Sequence, residues 1–482
     1  MGQEIGESRF GPADFERFET ELKAETGILR DWFRDGAFSA RDRVGGFELE
    51  AWLVDRAGLP AAINEGFLKL LDDPLVVPEL ARFNIELNTP PRALTGAALA
   101  RMLAGLEATW RHCRETAARL DAALVMIGIL PTVREEQLVL ANMSRLKRYR
   151  ALNEQVFRQR QGQPLALDIV GHETLHVRHQ DVMLESATTS FQIHLKVAPD
   201  AAARLYNLAQ MLSAPMVAVS ANSPFLFGHD LWEETRIPVF EQSVAVGGFA
   251  GAAGGPLHRV GFGSGYAQHS LLECFEENLS HFPVLLPMRF GPEHADSLPH
   301  LRLHNGTIWR WNRPLVGFDD DGTPHLRLEH RVVPSGPTPV DAIANAAFFF
   351  GLMAYFRAEG TDPRQVLPFA VARDNFYAAA RDGLRARVTW LGEVRGSARE
   401  LVLALVPLAE AGLERLGIDA ADRAAFADIL RARAESGRTG AAWQRAWVAR
   451  HGPDWPGLVH AYRAGQDSGR PVHEWPLDGA QP

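Results

Sequence analysis

The sequence predicts an α+β fold, in which an antiparallel sheet packs against helices and a helical extension ends the chain. Several short segments alternate polar and apolar residues with a period of two, which is typical of strands with one buried face. Other segments repeat apolar residues every three to four positions, which is typical of helices. From about residue 341 onward the pattern is mainly helical, and the part after about residue 390 is predicted to form a separate extension.

The predicted elements follow one another in a definite order. A helix over residues 14–35 opens the chain, because its apolar residues recur at helical spacing. The period changes to two from about Gly45, and a turn at residues 55–58 ends this first strand. The later elements are strands at 82–88, 123–129 and 188–197, helices at 95–120 and 200–219, a glycine-rich loop at 246–265, and strands at 309–313 and 326–332 joined by a turn at 319–322.

Composition excludes several classes of protein. The 482 residues include 59 acidic and 50 basic ones, and a net charge of −9 argues against a nucleic-acid binder with a basic surface. Two cysteines, Cys113 and Cys274, cannot build a disulfide framework. The first residues show no apolar leader, and the apolar stretch 342–356 is too short to span a bilayer and has Asn345 inside, so a buried helix is expected there. We therefore expect a cytoplasmic protein without a membrane or nucleic-acid partner.

Four predicted strands carry unusual polar faces. Glu48 and Glu50 lie two positions apart and point the same way, whereas Phe47 and Leu49 point the other way. By the same alternation, each of the other three strands has one polar face. These faces carry Asn84, Glu86 and Asn88; Gln192, His194 and Lys196; and Arg327, Glu329 and Arg331. For any one strand alone, a solvated face is the simpler interpretation.

The residue types on these faces favour a metal site over plain solvation. Carboxylates two positions apart on a strand repel each other unless a cation lies between them. Oxygen ligands with few nitrogens and no thiolates favour Mg²⁺ or Mn²⁺ over zinc. Mg²⁺ in such sites is often shared with substrate phosphates, and arginines on the same surface would neutralise a transferring phosphoryl group.

Five segments in this order resemble the glutamate–cysteine ligase and carboxylate–amine ligase superfamily, and the plant and proteobacterial type most of all. They read GFELE, ELARFNIELNTPP, TTSFQIHLKV, SANSPF and LRLEHR, and the resemblance covers roughly residues 41–390. It implies a glutamine-synthetase-like fold, a curved antiparallel β-sheet whose concave face holds metal ions and ATP. The catalytic domain would then occupy residues 41–390, between an N-terminal helical segment at 1–40 and a helical C-terminal extension at 391–482.

The resemblance also implies roles for single residues. The implied metal ligands are Glu48, Glu50, Glu79, Glu86, His194 and Glu329. Arg331 would stabilise the phosphoryl group, and Arg236 would contact the nucleotide or glutamate and take part in catalysis. Further substrate or nucleotide contacts are implied for Arg313, Gln192 and Asn222. The implied cofactors are ATP and Mg²⁺ or Mn²⁺, the partners are a glutamate-like carboxylate and an amine, and a homo-oligomer is possible.

The mechanism that the resemblance implies has two steps. A carboxylate attacks the γ-phosphate of ATP to give an acyl phosphate, and an amine then displaces phosphate to leave an amide. This route needs no side-chain nucleophile, which agrees with a sequence that has no Ser-His-Asp or Cys-His signature.

Two alternative functions remain open at this point. Residues 172–176 read HETLH, and a metal-dependent hydrolase could use such a segment if both histidines lay on one face of a helix and a third ligand, such as His179, were near. Gly171 precedes this segment, Ile169, Val170 and Thr174 disfavour a stable helix, and Pro164 lies nearby. The other alternative is a protein on the same scaffold that binds nucleotide and amino acid without catalysis.

Overall fold

The predicted antiparallel sheet is present and organises the molecule. A computed structural model describes residues 6, 9–246, 249–250, 256–291, 297–394 and 396–477. The strands are β1 Val44–Val54, β2 Val76–Pro78, β3 Asn84–Asn88, β4 Arg92–Ala93, β5 Ala123–Val125, β6 Leu165–Val170, β7 Thr174–His179, β8 Ser190–Val197, β9 Phe225–Leu226, β10 His229–Asp230, β11 Phe249–Ala250, β12 Pro256–Leu257, β13 Val260–Gly261, β14 Trp309–Arg310, β15 Asn312–Phe318, β16 Pro324–Pro334, β17 Thr389–Trp390 and β18 Glu393–Val394.

Helices account for most of the remaining described chain. They are α1 Pro12–Asp35, α2 Asn64–Leu71, α3 Ala98–Ala118, α4 Lys147–Gln159, α5 Ala202–Ser220, α6 Arg236–Ser243, α7 Leu272–His281, α8 Pro299–Asn305, α9 Pro339–Ala358, α10 Pro363–Val366, α11 Phe369–Asp382, α12 Ala398–Arg415, α13 Ala420–Ser436, α14 Gly440–His451 and α15 Trp455–Asp467. Local caps fix several boundaries. The Thr338 side chain accepts a hydrogen bond from the Asp341 amide at the start of α9, and Ser397 and Glu400 form a capping box at α12.

The main sheet has the strand order β15-β16-β8-β1-β3-β2, and β4 and β5 also pair with β1. All of these pairings are antiparallel. The sheet curls into a half-barrel, as the resemblance implied. The four strands with polar faces, namely β1, β3, β8 and β16, are therefore consecutive neighbours in space although they are far apart in sequence.

Apolar residues on one face of the sheet pack against helices. Phe47 and Leu49 of β1 are buried, and α5 and α9 lie against β8 and β16. The fit is close at Gly45, where an added Cβ would lie 2.7 Å from the Phe350 ring of α9. Burial of this face orients the alternate residues, Glu48 and Glu50, towards the opposite side of the sheet.

The apolar stretch 342–356 lies in α9, a helix that by length and composition alone could cross a membrane. Its most apolar window is 83% buried inside the protein, which confirms the expectation of a core helix. The expected strand at 123–129 is shorter, because β5 ends at Val125. From Met126 the chain leaves the sheet, and the Met126 amide donates to the side chain of Gln466 in α15.

The C-terminal helices are attached through buried polar contacts. The guanidinium of Arg433 in α13 is 1% exposed and donates to Asp341 and Asn345 of α9, at 2.7 Å each. The Asn222 side chain donates to the Tyr462 hydroxyl of α15 at 2.8 Å. The division of the chain at residues 40 and 390 stays a prediction. Of the glycine-rich segment 246–265, residues 247–248 and 251–255 lie outside the described part, and the remainder includes the short strands β11, β12 and β13.

Candidate active site

Cross-strand register gathers the predicted metal ligands into two groups of three. Glu329 of β16 lies opposite His194 of β8, and Glu50 of β1 lies opposite Glu86 of β3. The first triad is Glu48, His194 and Glu329, and the second triad is Glu50, Glu79 and Glu86. Within each triad one ligand atom from each residue lies within 4.8 Å of the others. All six residues expected from the sequence are thus placed in these two clusters.

Cations surround the first triad. Arg313 Nη2 lies 2.9 Å from Glu329 Oε2, and Arg331 Nη1 lies 3.4 Å from Glu329 Oε1. Burial alone would raise the pKa of Glu329, but Arg313 and Arg331 outweigh it and bring the pKa down to about 2. Burial is likewise outweighed at Glu48, where His194, 3.3 Å away, holds the pKa below its usual range. The two carboxylates of the first triad, Glu48 and Glu329, are therefore ionised at neutral pH.

The second triad is dominated by burial and by repulsion among carboxylates. Burial, followed by the charge of Glu79, raises the pKa of Glu50 to about 7. Burial also raises the pKa of Glu79, and burial with the charges of Glu48 and Glu79 raises the pKa of Glu86 well above its usual value. Glu50 is held in place by the Ser190 amide at 2.7 Å and by Gln192 Nε2 at 3.0 Å. A divalent cation would relieve this accumulation of negative charge.

Buried atoms without partners show that both triads fit a cation. Nδ1 of His194 has no hydrogen-bond partner among the described residues, and the same holds for Glu79 Oε1 and Glu86 Oε2. Buried polar atoms are rarely left without a partner unless an ion, a ligand or water satisfies them. Five carboxylates and one imidazole form a donor set that suits Mg²⁺ or Mn²⁺.

Both triads border one cavity of about 560 Å³. The sheet side contributes Glu48, Glu50, Gln192, Arg327, Glu329 and Arg331. Helices close the other sides through Arg148 and Tyr149 of α4, Phe275 of α7, and Arg302 and Leu303 of α8. The volume is in the range of cavities that bind small molecules. Gln192, Arg313 and Arg331 were expected to meet substrate or phosphate, and all three lie at the cavity wall.

Two expected contact residues lie elsewhere. Arg236 is 2% exposed and does not line the cavity; its Nη2 donates to the main-chain oxygens of Arg331 and Val332, and its Nε lies 3.0 Å from Glu234. It thus supports the strand that carries Arg331. Asn222 is fully buried and bonds to Tyr462 and to the Ser335 oxygen. The expected substrate contacts of Arg236 and Asn222 have no support in the geometry.

Four charged residues of the cavity wall received no site role from the sequence: Arg148, Glu185, Arg302 and Arg327. Arg327 was placed on the polar face of Glu329, two positions later on β16, and that shared face could have assigned it to the site. Arg302 and Glu185 carry no such signal, since α8 and the 3₁₀ turn Met183–Ala187 reach the cavity only through tertiary packing. Burial, with the charges of Glu79 and Glu50, raises the pKa of Glu185 well above its usual value.

The HETLH segment is not a helix. It forms the turn and second strand of the β6–β7 hairpin, in which Asp168 lies opposite His176. His172 pairs with Asp230 at 3.1 Å, and His176 pairs with Asp168 at 2.5 Å. The metal-binding clusters found in the described chain do not include either histidine. The hairpin geometry therefore disfavours the hydrolase alternative, because two ligands four residues apart need a helix to converge.

Comparison with known proteins adds independent information. The family model for glutamate–cysteine ligase family 2 matches residues 44–460. No curated protein matches the chain. The crystal structure of glutamate–cysteine ligase from Francisella tularensis in complex with AMP aligns with a TM-score of 0.52 at 10% identity, covering 91% of each chain.

Two further solved structures are more distant. A bifunctional glutathione synthetase from Pasteurella multocida aligns with a TM-score of 0.49 at 12% identity, covering 91% of this chain and 54% of the other. The complex of the prokaryotic ubiquitin-like protein Pup with its ligase PafA aligns with a TM-score of 0.36 at 11% identity, covering 89% and 73%. At such identities a structural likeness concerns the fold alone.

Proposed function

Because the chain belongs to the glutamate–cysteine ligase family, a family of carboxylate–amine ligases, we propose that it is an ATP-dependent ligase that joins glutamate or a similar acid to an amine. The family match confirms the resemblance carried by the five sequence segments. The acyl donor is proposed to react through its γ-carboxyl group, and cysteine is one candidate for the amine.

The observation that carries the proposal is the arrangement of the two triads and the arginines around one cavity. Glu329 is shared between the first triad and two guanidiniums, those of Arg313 and Arg331. A site that combines carboxylates for a divalent cation with guanidiniums for phosphoryl oxygens suits phosphoryl transfer. Bound at the triads, Mg²⁺ would neutralise the charge of the phosphate oxygens.

The proposed reaction has two steps. A carboxylate oxygen of the acid bonds to the γ-phosphorus of ATP while the bond to the bridging oxygen breaks, and ADP leaves. The amine nitrogen then bonds to the carbonyl carbon of the acyl phosphate, the carbon–oxygen bond to phosphate breaks, and the amine gives up a proton. The residues of this chain bind and orient the reactants, and none forms a covalent bond with them.

Two arginines give the cavity a side suited to the nucleotide phosphates. Arg302 and Arg327 both line the cavity, and neither has an ion pair with a carboxylate in the described part of the chain. Burial and the nearby charge of Arg327 lower the pKa of Arg302, so an anion between the two would be stabilised. Arg327 lies two positions before Glu329, about 7 Å along the strand from the first triad. We assign the phosphates of ATP to this side.

The direct test is release of inorganic phosphate from Mg-ATP in the presence of glutamate, with cysteine and a panel of other amines, and mass spectrometry of the product. We expect amine-dependent phosphate release and a product with the mass of the amide. The matched control is Glu115→Gln, at an exposed position of α3, which should keep full activity.

The same assay judges the alternative of a non-catalytic binding protein. Binding of Mg-ATP without ADP formation across a broad panel of acids and amines would contradict the ligase proposal and support that alternative. The expected cytoplasmic location and a homo-oligomeric state stay predictions, which fractionation and light scattering would test.

A further inference from the structure

The N-terminal helix α1 lies before the matched family region, which begins at residue 44, yet it touches the wall of the cavity. The contact is made by Glu25, a carboxylate that is only 5% exposed. Its Oε1 lies 2.6 Å from Nδ1 of His300, and its Oε2 accepts a hydrogen bond of 2.8 Å from the Leu301 amide. Both oxygens of Glu25 are thus used to hold the first turn of α8.

The surroundings of the contact between Glu25 and His300 tie it to one position of α8. The His300 ring is 8% exposed and lies edge-on to two aromatic rings, with centroids 5.0 Å from Phe18 and 4.9 Å from Phe290. A buried carboxylate destabilises a protein unless polar partners compensate its lost hydration. Glu25 has these partners only while α8 keeps its present position. The pair therefore fixes α8 relative to α1 more narrowly than apolar packing would.

The helix held in this way is a wall of the candidate active site. Pro299, Arg302, Leu303 and Asn305 of α8 all line the 560 Å³ cavity. Burial and the nearby positive charge of Arg327 both lower the pKa of Arg302, so the two guanidiniums repel each other. The Arg302 guanidinium lies over the Phe318 ring of β15, 5.6 Å from its centroid, whereas the position of its backbone is set by α8.

We propose that Glu25 is a positioning residue, which holds α8 through His300 and the Leu301 amide and so keeps Arg302 in place to bind an anionic oxygen group of the substrate. This inference rests on the proposed function, in which that group is a phosphate of ATP. It gives the N-terminal segment a part in nucleotide affinity, although the segment lies outside the matched family region.

The test is the variant Glu25→Gln, whose amide keeps the shape of the side chain but removes its charge and offers one acceptor oxygen in place of two. We expect the KM for Mg-ATP to rise about fivefold to tenfold while kcat stays within about twofold, as for a lost binding interaction. Glu21→Gln, at an exposed position of the same helix, is the matched control and should leave both constants unchanged.

A double-mutant cycle separates positioning from general destabilisation. Arg302→Gln should raise the KM for Mg-ATP as well, and Glu25→Gln should add little in the double variant, because both changes remove the same interaction. Additive effects of the two substitutions would overturn the proposal. So would a Glu25→Gln variant that melts at a lower temperature but keeps the wild-type KM.

Hydrogen exchange provides a readout that does not depend on turnover. Amides in the segment 299–305 should exchange faster in Glu25→Gln than in the wild type, and slower again when Mg-ATP is added. His300→Gln is the second variant, in case Glu25→Gln does not fold, and should show the same change. If the wild type turns over no Mg-ATP, the ligase proposal fails, whereas unchanged exchange in both variants would overturn the role of Glu25.

Discussion

The two triads have nearly the same ligands but opposite electrostatic surroundings. The first triad, Glu48, His194 and Glu329, contacts Arg313 and Arg331, and the pKa of Glu329 falls to about 2. The second triad, Glu50, Glu79 and Glu86, consists of carboxylates alone, and the pKa of Glu50 rises to about 7. The two carboxylates of the first triad are ionised without help, whereas those of the second triad need a cation to become fully ionised.

The difference follows from the position of each triad in the sheet. The first lies where β16 joins β8, and β16 brings arginines on the same face as Glu329. The second lies at the other side of β1, where β3 brings Asn84, Glu86 and Asn88 to that face, β2 places Val77 opposite Glu86, and Glu79 follows β2. Arginines beside the first triad suit a site whose bound ligand is exchanged during turnover. The clustered carboxylates of the second triad suit a divalent ion that stays bound.

The largest expected effect concerns turnover. Glu329→Gln should reduce amine-dependent ADP release by about a thousandfold or more, because it removes a first-triad carboxylate and leaves two arginines unpaired. Glu86→Gln should reduce it by about a hundredfold and raise the Mg²⁺ concentration for half-maximal rate. Steady-state rates over a Mg²⁺ titration measure both effects. Equal Mg²⁺ dependence of the two variants would contradict the distinction between the triads.

The next effect is on the stability of the metal-free protein, where the triads should differ in sign. At pH 8, Glu329→Gln should lower the free energy of unfolding by about 3 kcal/mol, because it leaves the charges of Arg313 and Arg331 buried without a partner. Glu86→Gln should raise it by about 1 kcal/mol, because it removes a carboxylate that repels its neighbours and keeps the acceptor for Asn88 Nδ2. Urea unfolding with a chelator present measures both values. A loss of stability in Glu86→Gln would contradict the expected repulsion among the carboxylates of the second triad.

A smaller effect is stabilisation by the metal itself. Saturating Mn²⁺ should raise the free energy of unfolding of the wild type by about 2 to 3 kcal/mol for each triad that it occupies if its concentration reaches a hundred times Kd. Glu86→Gln should lose most of the part contributed by the second triad and keep the rest. The Tm with and without Mn²⁺ is the measurement, and KCl at equal ionic strength is the control for charge screening. No response of the wild type to Mn²⁺ would argue against both metal sites.

Strand periodicity explains how much of this site the sequence could predict. Once Phe47 and Leu49 are taken as buried, the orientation of Glu48 and Glu50 follows, and the same rule places Glu86, His194 and Glu329. Which strands become neighbours does not follow from periodicity, and here the family resemblance supplied the antiparallel sheet that the structure confirms. The curvature of the sheet and the packing of helices against it also agree with the resemblance.

The remaining features of the site depend on tertiary contacts that no local sequence pattern encodes. Arg236 stands in a position that the resemblance made catalytic, yet the structure uses its guanidinium to bind main-chain oxygens beneath Arg331. The Asn222 side chain is hydrogen-bonded to Tyr462 and Gln444 of the C-terminal helices. Conversely, Arg302 enters the cavity because α1 and Glu25 hold a short helix there, and short helices leave little periodic signal.

An effect at a single buried carboxyl group isolates burial from repulsion. Glu241 accepts hydrogen bonds of 2.8 Å from Trp311 Nε1 and the Tyr377 hydroxyl, and burial raises its pKa to about 7 without a nearby carboxylate. Since the folded state binds this proton more tightly than the unfolded state does, wild-type stability should fall as the pH rises from about 4.5 to about 7. In Glu241→Gln this contribution disappears, so the stability of the variant relative to the wild type should rise over that window by about 2 to 3 kcal/mol. Urea unfolding at several pH values measures the trend, with Glu115→Gln as the exposed control. If Glu241→Gln shows no trend while Glu86→Gln stabilises the metal-free protein, repulsion between carboxylates and not burial controls the second triad.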